Sequence, residues 1–174
     1  METGKGLHLL QQDVFEKELG LPRWGCFFMT FLGALQFYFN RAFTQHEIIQ
    51  IYWKAREVLS WDKKPVLEMR TGPIPQGKEY ELFVNNPTML LQIGCSFIAP
   101  TFLAAQIPDL HCFHPNMKPI TFDCQYIAKE IRRPLGVHWV LAEPHPAYST
   151  LYNPLVSCTG IWTGYWRGIK IWQR

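Results

Sequence analysis

The sequence predicts an α+β domain, with helices in its first half and an antiparallel sheet in its second. Apolar residues recur at helical spacing as far as Gly94, and from Ile120 onward they alternate instead. Helices come first and strands afterwards, the order expected of an α+β domain. The 174 residues suit one domain spanning 1–174, large enough to bury a core without disulfides or a metal.

Between Trp24 and Asn40 the apolar positions Phe27, Phe28, Phe31, Leu32, Ala34, Leu35 and Phe39 cover more than one helical face, so this helix should be enclosed on several sides. Thr44 followed by Glu47 is a capping-box pattern, and Ile48, Ile49, Tyr52, Ala55, Val58 and Leu59 carry a second helix to Ser60. The proline- and glycine-rich stretch from Lys63 to Gly77 reads as a loop that can form a flap over a cleft. Asn86-Pro87 opens a third, shorter helix, with Gly94 as its expected end.

From Ile120 the residues Ile120, Phe122, Cys124, Tyr126 and Ala128 share one strand face. Arg132-Arg133-Pro134-Leu135-Gly136 then reads as a turn, and Val137 to Ala142 as the returning strand of a hairpin. Tyr148 to Tyr152 forms a further strand before Asn153-Pro154, and Gly168 to Trp172 the last.

Charged residues make up only 18% of the chain and aromatics 15%, which implies a bulky interior and a modest solvated surface. The net charge of +3 is dispersed, its densest pairs being Lys63-Lys64 and Arg132-Arg133, so nucleic acid is not an expected partner. The N-terminus lacks an apolar stretch suited to a signal peptide, and no segment reaches the roughly 20 apolar residues of a membrane span. A soluble, cytoplasmic protein without a membrane partner is the expectation. The five cysteines show no CxxC spacing and read as reduced thiols.

In "PRWGCFFMTF" a thiol, Cys26, falls in the first turn of the enclosed helix. Alone, such a cysteine is a small core hydrophobe. At a helix start, however, backbone N–H groups and the positive helix terminus stabilise a thiolate, which makes it a candidate nucleophile if a base and an orienting group exist elsewhere. His138 in "GVHWVLAEP" and Asn153 in "TLYNPL" meet that need. The two residues lie at the neighbouring ends of an antiparallel pair, where the amide oxygen can accept from one imidazole nitrogen while the other faces the thiol. Taken singly, His138 is a strand-end histidine and Asn153 a turn residue.

A competing cluster, His111, Cys112, His114 and Cys124, offers zinc-type ligands. The closeness of Cys112 to His114 and the apolar-face position of Cys124 disfavour it, so no metal and no other cofactor is expected. His46 falls on the surface of the second helix, and His8 and His145 have no assignable partners.

The pieces "WGCFFMTF", "GVHWVLAE", "LYNPL" and "GYWRGIKIW", in that order, resemble the papain-like cysteine peptidase superfamily. The resemblance is to its peptidase C39-like branch, and more narrowly to a spirochaete family of similar length. It covers Trp24 to Trp172 and implies a papain-like fold, with the N-terminal catalytic helix packed on the C-terminal sheet. It further implies Cys26 as nucleophile, His138 as general base and then acid, and Asn153 as orienter. Relatives often carry aspartate at the Asn153 position, and a glutamine shortly before the cysteine that completes the oxyanion hole. Here that position is Gly20, with Gln11 and Gln12 further upstream.

The implied activity is thiol-dependent hydrolysis of an amide bond in a peptide or protein substrate. The rival expectation is a silent papain-like module that binds a protein partner, motivated by Gly20 and by the aromatic tail Trp162, Tyr165, Trp166 and Trp172. Nothing in the sequence sets an oligomeric state.

Overall fold

A computed structural model describes residues 7–15, 25–58, 83–99, 110–113, 123–133, 136–145, 149–155 and 167–172. The expected flap at 63–77, together with Gly20, His114, Cys158, Trp162, Tyr165 and Trp166, lies outside these residues. Among the described residues a 3₁₀ turn, Gln12–Phe15, precedes the helices α1 (Cys26–Phe39), α2 (Gln45–Val58) and α3 (Pro87–Ile98). Five strands follow: β1 (His111–Phe113), β2 (Tyr126–Arg133), β3 (Gly136–Ala142), β4 (Thr150–Tyr152) and β5 (Arg167–Ile171). They form one antiparallel sheet in the order β1-β5-β2-β3-β4. The α+β class and the order of helices before strands agree with the sequence.

Helix α1 is the centre of the molecule. Every residue from Cys26 to Phe37 is buried, because α3 packs on one side of the helix and β3 on another. No side chain caps its start at Gly25, whereas its end is closed by Asn40 in the left-handed conformation, φ 51°, whose N–H reaches Gln36 and Phe37 carbonyls. The capping box of α2 is present: Glu47 N–H donates to Thr44 Oγ1 at 3.1 Å and Thr44 N–H to Glu47 Oε1 at 3.0 Å. Arg41 adds two bonds to the same carboxylate, at 2.8 and 3.1 Å.

Helix α3 runs through Gly94 to Ile98 rather than ending at the glycine. The glycine serves close packing instead, since a Cβ there would collide with Leu35 of α1. The β2–β3 hairpin is tighter than the sequence reading allowed. Arg132, Arg133 and Gly136 belong to paired strands, with Arg133 opposite Gly136. Cys124 lies in a bend ahead of β2 rather than within a strand.

Trp172 follows β5 and is buried, stacked on Tyr38 with ring centroids 4.4 Å apart. Its φ of 60° costs a bulky residue roughly 1–3 kcal/mol, which burial and stacking offset. This one member of the aromatic tail is therefore core, not an exposed docking residue.

Candidate active site

Cys26 is the first residue of α1, as its place after Gly25 led one to expect. The first intrahelical bond runs from Met29 N–H to the Gly25 carbonyl at 2.9 Å, so the N–H groups of Cys26, Phe27 and Phe28 stand ahead of the ladder. That is the end of the helix where a developing negative charge is stabilised.

The sheet edge beside this turn is unusual. Strand β4 ends with Tyr152 opposite Leu141, and among the described residues no strand continues along the first half of β3. There the Trp139 carbonyl accepts a bond from the Thr30 hydroxyl of α1 at 3.2 Å. The Phe27 ring meets the Trp139 indole edge to face, centroids 4.8 Å apart. Cys26 is one helical turn ahead of Thr30 and on the same side of the helix, while His138 precedes Trp139 in the chain. The short β4 thus opens an edge on which the first turns of α1 pack against Trp139, the residue that follows His138 in the chain. Cys26 and His138 are both 3% exposed.

His138 and Asn153 are brought together directly: Nε2 and Oδ1 are 2.7 Å apart. Asn153 Oδ1 also accepts the Leu155 N–H at 3.2 Å. An atom that receives a backbone N–H is an acceptor, which identifies it as the amide oxygen. The Nε2 nitrogen must therefore be the donor, and a neutral His138 carries its basic lone pair on Nδ1. A turn after β4 thereby dictates the tautomer of a residue on β3.

The turn itself is held by the N-terminal segment. Tyr152 Oη donates to the Leu10 carbonyl at 2.6 Å, Gln11 Nε2 to the Asn153 carbonyl at 3.0 Å, and Gln12 N–H to the Pro154 carbonyl at 2.8 Å. Gln11 and Gln12, the upstream glutamines, fold back on the Asn153–Pro154 turn. Sequence reasoning missed Thr30, Tyr152 and Leu155. Thr30, as the lone hydroxyl in the run from Cys26 to Leu35, was the available signal.

Two further thiols, Cys95 and Cys124, are buried. Burial pushes Cys95 up to about 12 and Cys124 up to about 11, the latter against the opposing pull of the Lys170 ammonium. Of the competing metal cluster, His111 and Cys112 lie on β1 while Cys124 precedes β2. Strand β5 runs between β1 and β2, a spacing of roughly 10 Å across two strand intervals. Among the described residues no group of histidine, cysteine and carboxylate side chains is placed to hold a metal ion. His8, His46 and His145 are exposed. No helix among the described residues is long and apolar enough to cross a membrane.

No protein-family model, curated protein or solved structure matches the chain.

Proposed function

We propose that the protein is a papain-like thiol hydrolase acting on an amide bond of a peptide or peptide-like substrate, with Cys26, His138 and Asn153 as its triad. The observation that carries the reading is the 2.7 Å contact of His138 Nε2 with an asparagine oxygen whose identity the Leu155 N–H fixes. A strand-end histidine serving only as packing has no need of a single tautomer. A general base does.

In this reading Nδ1 of His138 takes the Cys26 proton, and the thiolate attacks the substrate carbonyl carbon. The oxyanion that forms is met by the Cys26 backbone N–H at the positive end of α1. His138 then returns the proton to the leaving nitrogen, the C–N bond breaks, and a thioester remains on Cys26. Water loses a proton to Nδ1 and attacks the thioester. The C–S bond breaks, freeing the acid and restoring the thiol. Asn153 accepts from Nε2–H throughout and keeps the imidazolium oriented. The same chemistry serves deamidation and transamidation, so the fold analogy selects the bond and not the substrate.

The test is digestion of a peptide mixture read by mass spectrometry. The wild type should cleave amide bonds and carry a transient acyl adduct on Cys26, while Cys26→Ala should do neither. Equal cleavage by both proteins, or an adduct on another cysteine, would reject the assignment.

A further inference from the structure

We propose that residues 10–12 act as a positioning strap for the imidazole of His138, with Gln11 as the positioning residue; the inference rests on the triad reading above. Leu10, Gln11 and Gln12 meet Tyr152, Asn153 and Pro154 one to one and in the same order. Two of these three contacts use a side chain on one partner, so the strap does the work of a β-strand pairing from the last residue of β4 onward.

The need for it lies in the turn. Asn153 sits between a three-residue strand and a proline, and Pro154 has no N–H with which to anchor the peptide that joins them. The orientation of that peptide fixes the direction of the Asn153 Cα–Cβ bond, and hence the position of Oδ1 against His138. Gln11 Nε2 holds the carbonyl of this peptide at 3.0 Å from one side, while the Leu155 N–H holds Oδ1 at 3.2 Å from the other. Gln11 touches neither the thiol nor the imidazole through any of these bonds. It acts through Asn153. The backbone and hydroxyl contacts of Gln12 and Tyr152 remain when the Gln11 side chain is changed, so the fold and the strap's path should survive.

The discriminating substitution is Gln11→Glu, which keeps shape and length but at pH 7 replaces a donor with an acceptor that repels the Asn153 carbonyl. Two-bond ¹⁵N–¹H correlation on histidine-labelled protein reads the His138 tautomer without any substrate. The wild type should show the Nε2–H form alone. Gln11→Glu and Gln11→Ala should show mixed tautomers and faster Nε2–H exchange. Both should slow alkylation of Cys26 by roughly tenfold, short of the hundredfold that a 1 Å misplacement of a reacting group can cost. Gln11→Lys, which supplies an N–H donor again, should restore the signal and the rate.

Wild-type tautomer and exchange in both Gln11→Glu and Gln11→Ala, alongside their loss in Asn153→Ala, would overturn the strap and leave the triad standing. An unchanged His138 signal in Asn153→Ala would overturn both. Loss of folding in the Gln11 variants, with no recovery in Gln11→Lys, would make Gln11 a stability residue and overturn the strap alone.

Discussion

Cys26 and Cys95 are almost equally hidden, 3% and 2% exposed, yet they occupy opposite kinds of place. Cys95 lies inside α3, where its own backbone N–H belongs to the helical ladder and burial alone pushes the thiol up to about 12. Cys26 opens α1, ahead of the first intrahelical bond and one turn before the Thr30 hydroxyl that ties the helix to Trp139 of β3. In the proposed reading, burial alone therefore does not distinguish the Cys26 nucleophile from the Cys95 filler. What separates them is whether the surroundings offer the charged form dipoles and a base, or only hydrocarbon.

Removing each sulfur should break the comparison most plainly. Cys26→Ala should lower peptide turnover by on the order of 10⁴–10⁶-fold with little change in melting. Cys95→Ala should leave turnover intact and cost about 1 kcal/mol of stability, measured by denaturant titration.

Two glycines sharpen the same contrast. A Cβ on Gly33 would lie 2.6 Å from Cδ2 of Tyr152, a rigid ring anchored to Leu10 and followed by Asn153. Gly33→Ala should cost roughly 1–3 kcal/mol and also slow Cys26 alkylation, because the displaced ring moves the turn that orients His138. Gly94→Ala meets the methyl end of Leu35, away from that turn. It should cost less, partly offset by about 1 kcal/mol of gained helix propensity, and leave Cys26 alkylation unchanged.

A smaller effect is expected from Thr30→Val, which keeps the shape of the side chain and removes the donor to Trp139. Denaturant titration should show a loss of roughly 0.5–1.5 kcal/mol, with slower Cys26 alkylation as the helix start loses its tie to β3.

The smallest concerns Glu47 on α2. Burial alone would raise its carboxyl, but the Thr44 N–H and the Arg41 guanidinium outweigh that and hold it below the ordinary carboxylate range. A depressed carboxylate contributes stability that is fully present above its unfolded value and is lost as pH falls through its folded one. Glu47→Ala should thus cost about 1 kcal/mol or less at pH 7, and progressively nothing in acid. Cys26 alkylation should be indifferent to it, since α2 takes no part in the site.

Much of this was legible in the residues because local chemistry and tertiary role coincide. The capping pattern of Thr44 and Glu47, the all-round apolar run of α1 and the order of helices before strands each follow from short-range spacing. Gly94 was misread because a helix-ending glycine and a close-packing glycine look alike until Leu35 of another helix is placed against it. Trp172 was misread because exposure is a tertiary property, and Tyr38, which covers it, is far away in the chain. The His138 and Asn153 pairing was legible as two neighbouring strand ends. The Leu155 N–H that fixes the tautomer, and the Gln11 contact behind it, depend on a turn and on a long-range return of the N-terminus, neither of which periodicity encodes.

Competitive alkylation with iodoacetamide at pH 6, followed by peptide mass mapping, tests the central claim directly. Cys26 should be modified well before Cys95 and Cys124, and ahead of Cys112 and Cys158. His138→Ala should slow Cys26 alone, leaving the order of the other four unchanged. If Cys26 is modified no faster than Cys95 in the native protein, or reacts at the same rate with and without the His138 imidazole, the thiol at the start of α1 is core filler and the hydrolase reading fails.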